Sequence, residues 1–113
     1  MFGLNSKSAV VALGLGLSVA GMSQAADLAA GEKKAGEVCA ACHGKDGKTP
    51  IDPSYPVLAG QHESSLLRAL MDYKSEARKN AIMSGQAKGL SKKDMQNLSA
   101  YYASLPSALS HKK

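Results

Sequence analysis

The sequence has few of the large side chains from which a hydrophobic core is usually built. Its 113 residues include no tryptophan, one phenylalanine and four tyrosines. The 88 residues after Ala25 contain nine leucines, two isoleucines and two valines, and no phenylalanine. So small a share of large aliphatic side chains is typical of disordered chains. Because the same stretch has helical patterning, we predict instead a folded domain whose interior is filled partly by something other than side chains.

Length and charge argue against two classes of protein, multidomain enzymes and nucleic-acid-binding proteins. A chain of 113 residues forms one domain and is too short for a multidomain enzyme. The formal net charge is +5, but two arginines and no interleaved aromatic residues do not indicate nucleic-acid binding. The lysines form either an ordinary solvated surface or a basic surface that steers docking to an acidic partner.

The first 25 residues have the layout of a secretory signal peptide. Lys7 supplies a basic start, residues 9–20 form an apolar run, and Ser23 and Ala25 are small residues at a cleavage site. We expect cleavage near Ala25, which leaves one domain over residues 26–113. The alternative is an uncleaved membrane anchor, although a membrane span needs about 20 apolar residues. Export implies an oxidising compartment such as a bacterial periplasm.

Hydrophobic periodicity predicts an all-α domain with three helices and no strand. The first helix is expected over residues 27–42, with Asp27 as its N-cap, and the second over residues 63–79. The third is expected to begin at Ser91, with Asp94 completing a capping box, and to end before Pro106. Three prolines and three glycines make residues 44–60 irregular, and a loop is predicted over residues 80–90.

Cys39, Cys42 and His43 form a C-x-x-C-H sequence, which in an exported chain is the attachment signature of c-type haem. Two thiols three positions apart at a helix end can both bond the vinyl carbons along one porphyrin edge, and the adjacent imidazole can reach the iron. A thioredoxin-like redox pair would need a strand–helix setting. A structural zinc site would need four ligands, and a plain disulfide would leave the histidine unexplained.

A haem iron bound by His43 has a sixth coordination position to be filled. Met71 and Met95 lie on apolar helical stripes, where methionine is usually core filler, and His111 lies in the polar C-terminal tail. Met83 lies in the predicted loop, which can bring its thioether to the metal. We therefore predict Met83 as the axial ligand, with His62 or an open position as alternatives.

These motifs resemble those of class I cytochromes c, and most closely the bacterial cytochrome c4/c553-like group in monohaem form. The resemblance extends over residues 55–61, 78–83 and 89–104. It implies the all-α class I cytochrome c fold, with about three main helices packed around one covalently bound haem c.

The same resemblance implies roles for individual residues. Pro56 would accept a hydrogen bond from Nδ1–H of His43, Leu58 would pack on the haem face, and Arg78 would lie near a haem propionate. Gly31 would lie where the first helix crosses the last, against Leu98 and Tyr101, and Glu76 stands where a glycine is usual. The expected cofactor-binding set is Cys39, Cys42, His43, Pro56, Leu58, Arg78 and Met83, with His43 and Met83 as iron ligands.

The function implied is one-electron transfer in the periplasm, within a respiratory or sulfur-oxidising chain, and not enzymatic catalysis. The implied partners are redox proteins, such as a terminal oxidase, cytochrome bc1 or a periplasmic dehydrogenase, and the membrane is met only through them. Two alternatives remain open. The chain is a haem subunit of a complex such as flavocytochrome c sulfide dehydrogenase, or a gas sensor or peroxidase-like protein with a vacant sixth position.

Overall fold

The computed structural model describes residues 25–107. The predicted signal peptide, except for Ala25, lies outside this range, and so does His111. Within this range the chain forms helices and no β-strand, which confirms the all-α prediction. The elements in chain order are α1 (Leu28–Lys34), a π-helical turn (Ala35–Cys39), α2 (Ala40–His43), α3 (Glu63–Ser75), α4 (Ala81–Lys88) and α5 (Lys92–Ser104).

The first predicted helix is interrupted by a π-helical turn. Asp27 caps α1 as expected, since its carboxylate accepts a hydrogen bond from the N–H of Ala30 at 3.0 Å. Further along, the N–H of Ala40 bonds to the carbonyl of Ala35, five residues back instead of four. The chain returns to α-helical geometry in α2, which carries the second cysteine and His43.

Helix α3 ends four residues earlier than predicted, at Ser75. Glu76 has φ of 67°, in the left-handed region, and its N–H bonds to the carbonyl of Tyr73 at 3.1 Å. A left-handed residue at this position ends an α-helix and is usually glycine. The backbone conformation therefore explains why a glycine is usual where this chain has Glu76.

The prediction of a loop over residues 80–90 is wrong, because residues 81–88 form α4. Asn80 has an extended backbone, and its side-chain oxygen accepts hydrogen bonds from the N–H groups of Ile82 at 3.1 Å and Met83 at 3.0 Å. Such an N-cap satisfies donors that a helix start leaves unpaired. Met83 is therefore in the first turn of a capped helix and not in an irregular loop.

The capping box at the start of α5 is confirmed. The hydroxyl of Ser91 accepts a hydrogen bond from the N–H of Asp94 at 2.9 Å, and the Asp94 carboxylate accepts one from the N–H of Ser91 at 3.0 Å. The bond from Ser91 holds the pKa of Asp94 below its usual value. The helix ends at Ser104, two residues before Pro106, as predicted.

Helix α1 crosses α5, which also packs on α3, and α4 packs on α3. At the crossing, a Cβ on Gly31 would collide with the carbonyl oxygen of Asn97 and would lie 2.9 Å from the Cβ of Tyr101. The predicted contact of Gly31 with Tyr101 is confirmed, and Asn97 instead of Leu98 supplies the nearest backbone. The Asn97 side chain also accepts a hydrogen bond from the N–H of Asp27 at 2.8 Å, which ties the first helix to the last.

The hydrophobic core among residues 25–107 is small. Its buried cluster contains Ala35, Leu66, Leu90, Met95, Leu98 and Tyr102. Several larger apolar side chains around it are only partly buried. None of the helices in this range is long and apolar enough to span a bilayer.

Candidate functional site

The irregular connection between α2 and α3 folds back on itself and returns Pro56 and Leu58 to the end of α2. The carbonyl of Gly47 accepts hydrogen bonds from the N–H groups of Leu58 at 2.7 Å and Ala59 at 3.0 Å. Gly47 has φ of 73°, a conformation that glycine adopts without strain. The glycine therefore closes the connection at the point where two residues of the predicted site lie.

His43 is held in a defined orientation by this connection. Its side chain is buried, with 6% of the residue exposed, and its Nδ1 lies 3.0 Å from the carbonyl oxygen of Pro56. A carbonyl only accepts, so Nδ1 carries the proton and donates it, and Nε2 keeps its lone pair. The predicted Pro56–His43 hydrogen bond is therefore present, and it prepares Nε2 to bind a metal.

The two cysteines are free and half-buried, at either side of the junction between the π turn and α2. Cys39 packs against the hydrophobic cluster, as does the half-buried Leu58. Burial raises the pKa of the Cys39 thiol, and a hydrogen bond from Tyr102 acts in the opposite direction. Burial likewise raises the pKa of Tyr102. The Cys39 thiol therefore lies beside the core, and Cys42 is half-buried one helical turn further on.

Met83 is half-buried in the first turn of α4, a helix that contacts α3. Polar contacts fix the far end of α4. The ammonium group of Lys74 in α3 donates to the carbonyls of Lys88, at 3.3 Å, and Leu90, and the Lys88 side chain pairs with Glu76. Sequence reasoning missed these contacts, since they join residues 12 to 16 positions apart.

Arg78 lies outside this arrangement. Its guanidinium carbon is 4.9 Å from the centre of the Tyr73 ring, and its N–H bonds to the carbonyl of Asp72 at 3.1 Å. The structure thus places Arg78 beside the end of α3 and gives it an aromatic neighbour. Its role near a haem propionate stays a prediction.

The residues present fit a covalently bound haem. The motif brings two thiols and an imidazole with a free Nε2 to one end of a helix, beside a core poor in large side chains. Leu58, Leu67 and Leu70 pack against this core but are only partly buried. A large, flat and mostly apolar group would complete this core.

A family-model comparison matches residues 28–106 to cytochrome c. Cytochrome c4 of Pseudomonas aeruginosa is 45% identical over 96 residues, which cover 84% of this chain and 47% of that protein. Cytochrome c-554(548) of Halomonas halodenitrificans is 43% identical over 83 residues, which cover 71% of this chain and 98% of that protein. The chain therefore spans about half the length of the cytochrome c4 relative and nearly all of the shorter one.

The fold agrees with the sequence. The structure of cytochrome c4 from Acidithiobacillus ferrooxidans matches 75% of this chain and 53% of that chain with a TM-score of 0.66 and 27% identity. This structural match supports the class I all-α fold, in agreement with the helices of this chain. The chain belongs to the cytochrome c family, in its class I cytochrome c4/c553 group, and Cys39, Cys42 and His43 have the spacing with which that family holds haem c.

Proposed function

We propose that this chain is a periplasmic one-electron carrier whose haem iron is ligated by His43 and Met83. The observation that carries this proposal is the hydrogen bond from Nδ1–H of His43 to the carbonyl of Pro56. It fixes the ring's tautomer and orientation and leaves Nε2 as the single ring nitrogen that can bind iron. The bound haem supplies a metal that changes its charge by one electron.

The protein residues act by holding this metal in one environment in both oxidation states. The Pro56 carbonyl polarises the imidazole and raises its basicity. The Met83 thioether, on a helix capped by Asn80 and tied to α3 by Lys74, favours the reduced form and raises the potential relative to two imidazoles. With His43 and Met83 both bound, the iron would keep the same ligands in both oxidation states, so little rearrangement would accompany electron transfer and no position would be left for a substrate.

The proposal includes export and cleavage near Ala25, which leaves residues 26–113 as one haem domain. The apolar run after Lys7 supports export. The match over nearly the full length of cytochrome c-554(548) supports a single haem domain of this size. We infer that its partners are redox proteins, such as a terminal oxidase, cytochrome bc1 or a periplasmic dehydrogenase.

The ligand assignment is tested with Met83→Ala in protein matured with haem. We expect loss of the low-spin spectrum and of the weak sulfur–iron charge-transfer band, and a fall in midpoint potential. Met71→Ala is the matched control, because Met71 lies on α3 and is 41% exposed.

A different ligand would give a different pattern. An unchanged spectrum in Met83→Ala would remove Met83 from the iron, and loss of the band in Met71→Ala would assign Met71 in its place. A wild-type spectrum that is high-spin and changes at once with carbon monoxide would overturn the carrier proposal in favour of a vacant sixth position.

A further inference from the structure

Helix α4 carries the proposed iron ligand Met83, but its own sequence stabilises it little. It has eight residues, and isolated helices shorter than about 12 residues are marginal in water. Its buried side chains are those of Ser84 and Ala87, which are too small to remove much apolar surface from water. Gly85 lowers its helix propensity further. The position of α4 therefore depends on the contacts at its two ends.

The C-terminal end of α4 differs from the usual end of a helix. A left-handed glycine commonly follows the last turn, whereas Gly89 is right-handed, with φ of −83° and ψ of −1°. The N–H of Gly89 bonds to the carbonyl of Gln86 at 3.3 Å. The N–H of Leu90 bonds to the carbonyl of Ala87 at 3.0 Å. These local bonds do not reach the carbonyls of Lys88 and Leu90.

The side chain of Lys74, in the last turn of α3, reaches both of these carbonyls. Its ammonium group donates to the carbonyl of Lys88 at 3.3 Å and to that of Leu90, where the bond is partly buried. A lysine near a helix C-terminus satisfies carbonyls that the helix leaves unpaired, and its charge interacts favourably with the helix dipole. Lys74 therefore caps α4 from a neighbouring helix.

A second lysine joins the same region of the molecule in a different way. The side chain of Lys88, at the end of α4, pairs with Glu76 just beyond α3, and the two side chains are 56% and 51% exposed. Exposed ion pairs contribute little to stability, and this pair satisfies no helix carbonyl. The two lysines therefore allow a comparison between helix capping and a surface ion pair.

We propose that Lys74 is a positioning residue for Met83: by capping the C-terminal end of α4, it holds the helix that carries the sulfur ligand and keeps that ligand on the iron. The inference rests on the proposed ligation by Met83. Without the cap, α4 is held less firmly, and the sixth position of the iron is open for a larger fraction of the time. Lys74 would thus control ligation without being a ligand.

The test measures competition between Met83 and added imidazole for the ferric iron of full-length protein matured with haem. Loss of the sulfur–iron band during the titration gives the Kd of imidazole. When Met83 is bound most of the time, this Kd falls by the same factor as the equilibrium constant for Met83 binding. The proteins compared are wild type, Lys74→Ala, Lys74→Arg and Lys88→Ala.

We expect the imidazole Kd of Lys74→Ala to be about threefold to tenfold lower than that of wild type, because the cation at the helix end contributes about this factor. Alanine keeps the helix propensity of α3. Lys74→Arg keeps a cation with N–H donors, and Lys88→Ala removes only the exposed ion pair. We expect both to stay within about twofold of wild type.

Urea unfolding separates this role from a general effect on stability. In Lys74→Ala the sulfur–iron band should be lost at a lower urea concentration than the helical circular dichroism, with a wider gap than in wild type. If band and helix signal shifted together, Lys74 would stabilise the whole fold and the proposal would be overturned.

Three further results would contradict the proposal. These are an unchanged imidazole Kd in Lys74→Ala, an equal fall in Lys88→Ala, and a Lys74→Arg variant that behaves like alanine. Failure of the proposed function looks different, because wild-type protein itself would then lack the sulfur–iron band, which would overturn the ligation by Met83 and this inference with it.

Discussion

At the scale of single residues, Gly31 and Glu76 determine where two helices cross and where one of them stops. Gly31 permits α1 to lie directly on the backbone of α5 at Asn97. Glu76 ends α3 in a left-handed conformation that glycine adopts more easily. Both roles were predictable as positions by resemblance to the family. A left-handed backbone at position 76, however, could not be predicted from the sequence, because glutamate rarely adopts that conformation.

We expect Gly31→Ala to destabilise the protein by about 1–3 kcal/mol, because the new methyl group forces α1 away from α5. Urea denaturation of the haem protein measures the change. Gly36→Ala is the matched control, since it lies in the same rod with open space around it, and we expect it to stabilise the protein by about 0.5–1 kcal/mol. Equal effects of the two substitutions would contradict the close helix contact.

We expect Glu76→Gly to be more stable than Glu76→Ala. Both remove the ion pair with Lys88, which is exposed and contributes little. Only glycine also relieves the left-handed backbone at φ of 67°. The difference between the two midpoints of urea denaturation therefore isolates the backbone effect, and identical midpoints would show that Glu76 carries no strain.

At the scale of elements, helix ends were predictable where a local signal specifies them. Asp27 before α1 and the Ser91–Asp94 box before α5 were read correctly, because each is a short side-chain-to-backbone pattern. Helix α4 was not predicted, because Gly85 and Gly89 are typical of loops, although Asn80 is a good N-cap. Its docking on α3 outweighs the low helix propensity of glycine.

The π turn could not be predicted from hydrophobic periodicity. Its segment is rich in alanine and glycine, and such residues define no apolar stripe from which a period can be measured. The irregularity is shown by the hydrogen bond from the N–H of Ala40 to the carbonyl of Ala35, five residues back. No side-chain pattern in this segment specifies that bond.

We expect Asn80→Ala to destabilise the protein by about 1 kcal/mol, because the first N–H groups of α4 lose their acceptor. Asn80→Asp keeps an acceptor at the same place and is expected to stay close to wild type. Since Met83 is in this first turn, the spectrum of the alanine variant should also lose its sulfur–iron band at a lower temperature. If the sulfur–iron band were equally resistant to heating in both variants, the Asn80 cap would have no effect on ligation by Met83.

At the scale of the whole molecule, the chain depends on its cofactor to complete the interior. Within residues 25–107 the buried cluster consists of six residues, one of which is an alanine. A domain this small has little surplus stability to lose. The shortage of large side chains in the sequence therefore agrees with the small buried cluster in the structure, and both indicate that the bound haem completes the interior.

We expect the double variant Cys39→Ala, Cys42→Ala, produced without bound haem, to retain helical circular dichroism but to lose cooperative thermal unfolding. Its side chains alone do not specify a packed core, so the state should resemble a molten globule. Wild-type holoprotein is the reference. A sharp thermal transition in the haem-free variant would show that the six-residue cluster suffices.

The crossing of α1 and α5 also has a consequence for how the protein is made. The bond from Asp27 to Asn97 joins residues 70 positions apart, near the two ends of the described chain. Contacts between such distant residues are slow to form and need both partners present. The α1–α5 crossing therefore cannot be completed until synthesis has reached α5, because the N–H of Asp27 has no Asn97 side chain to bond before that point.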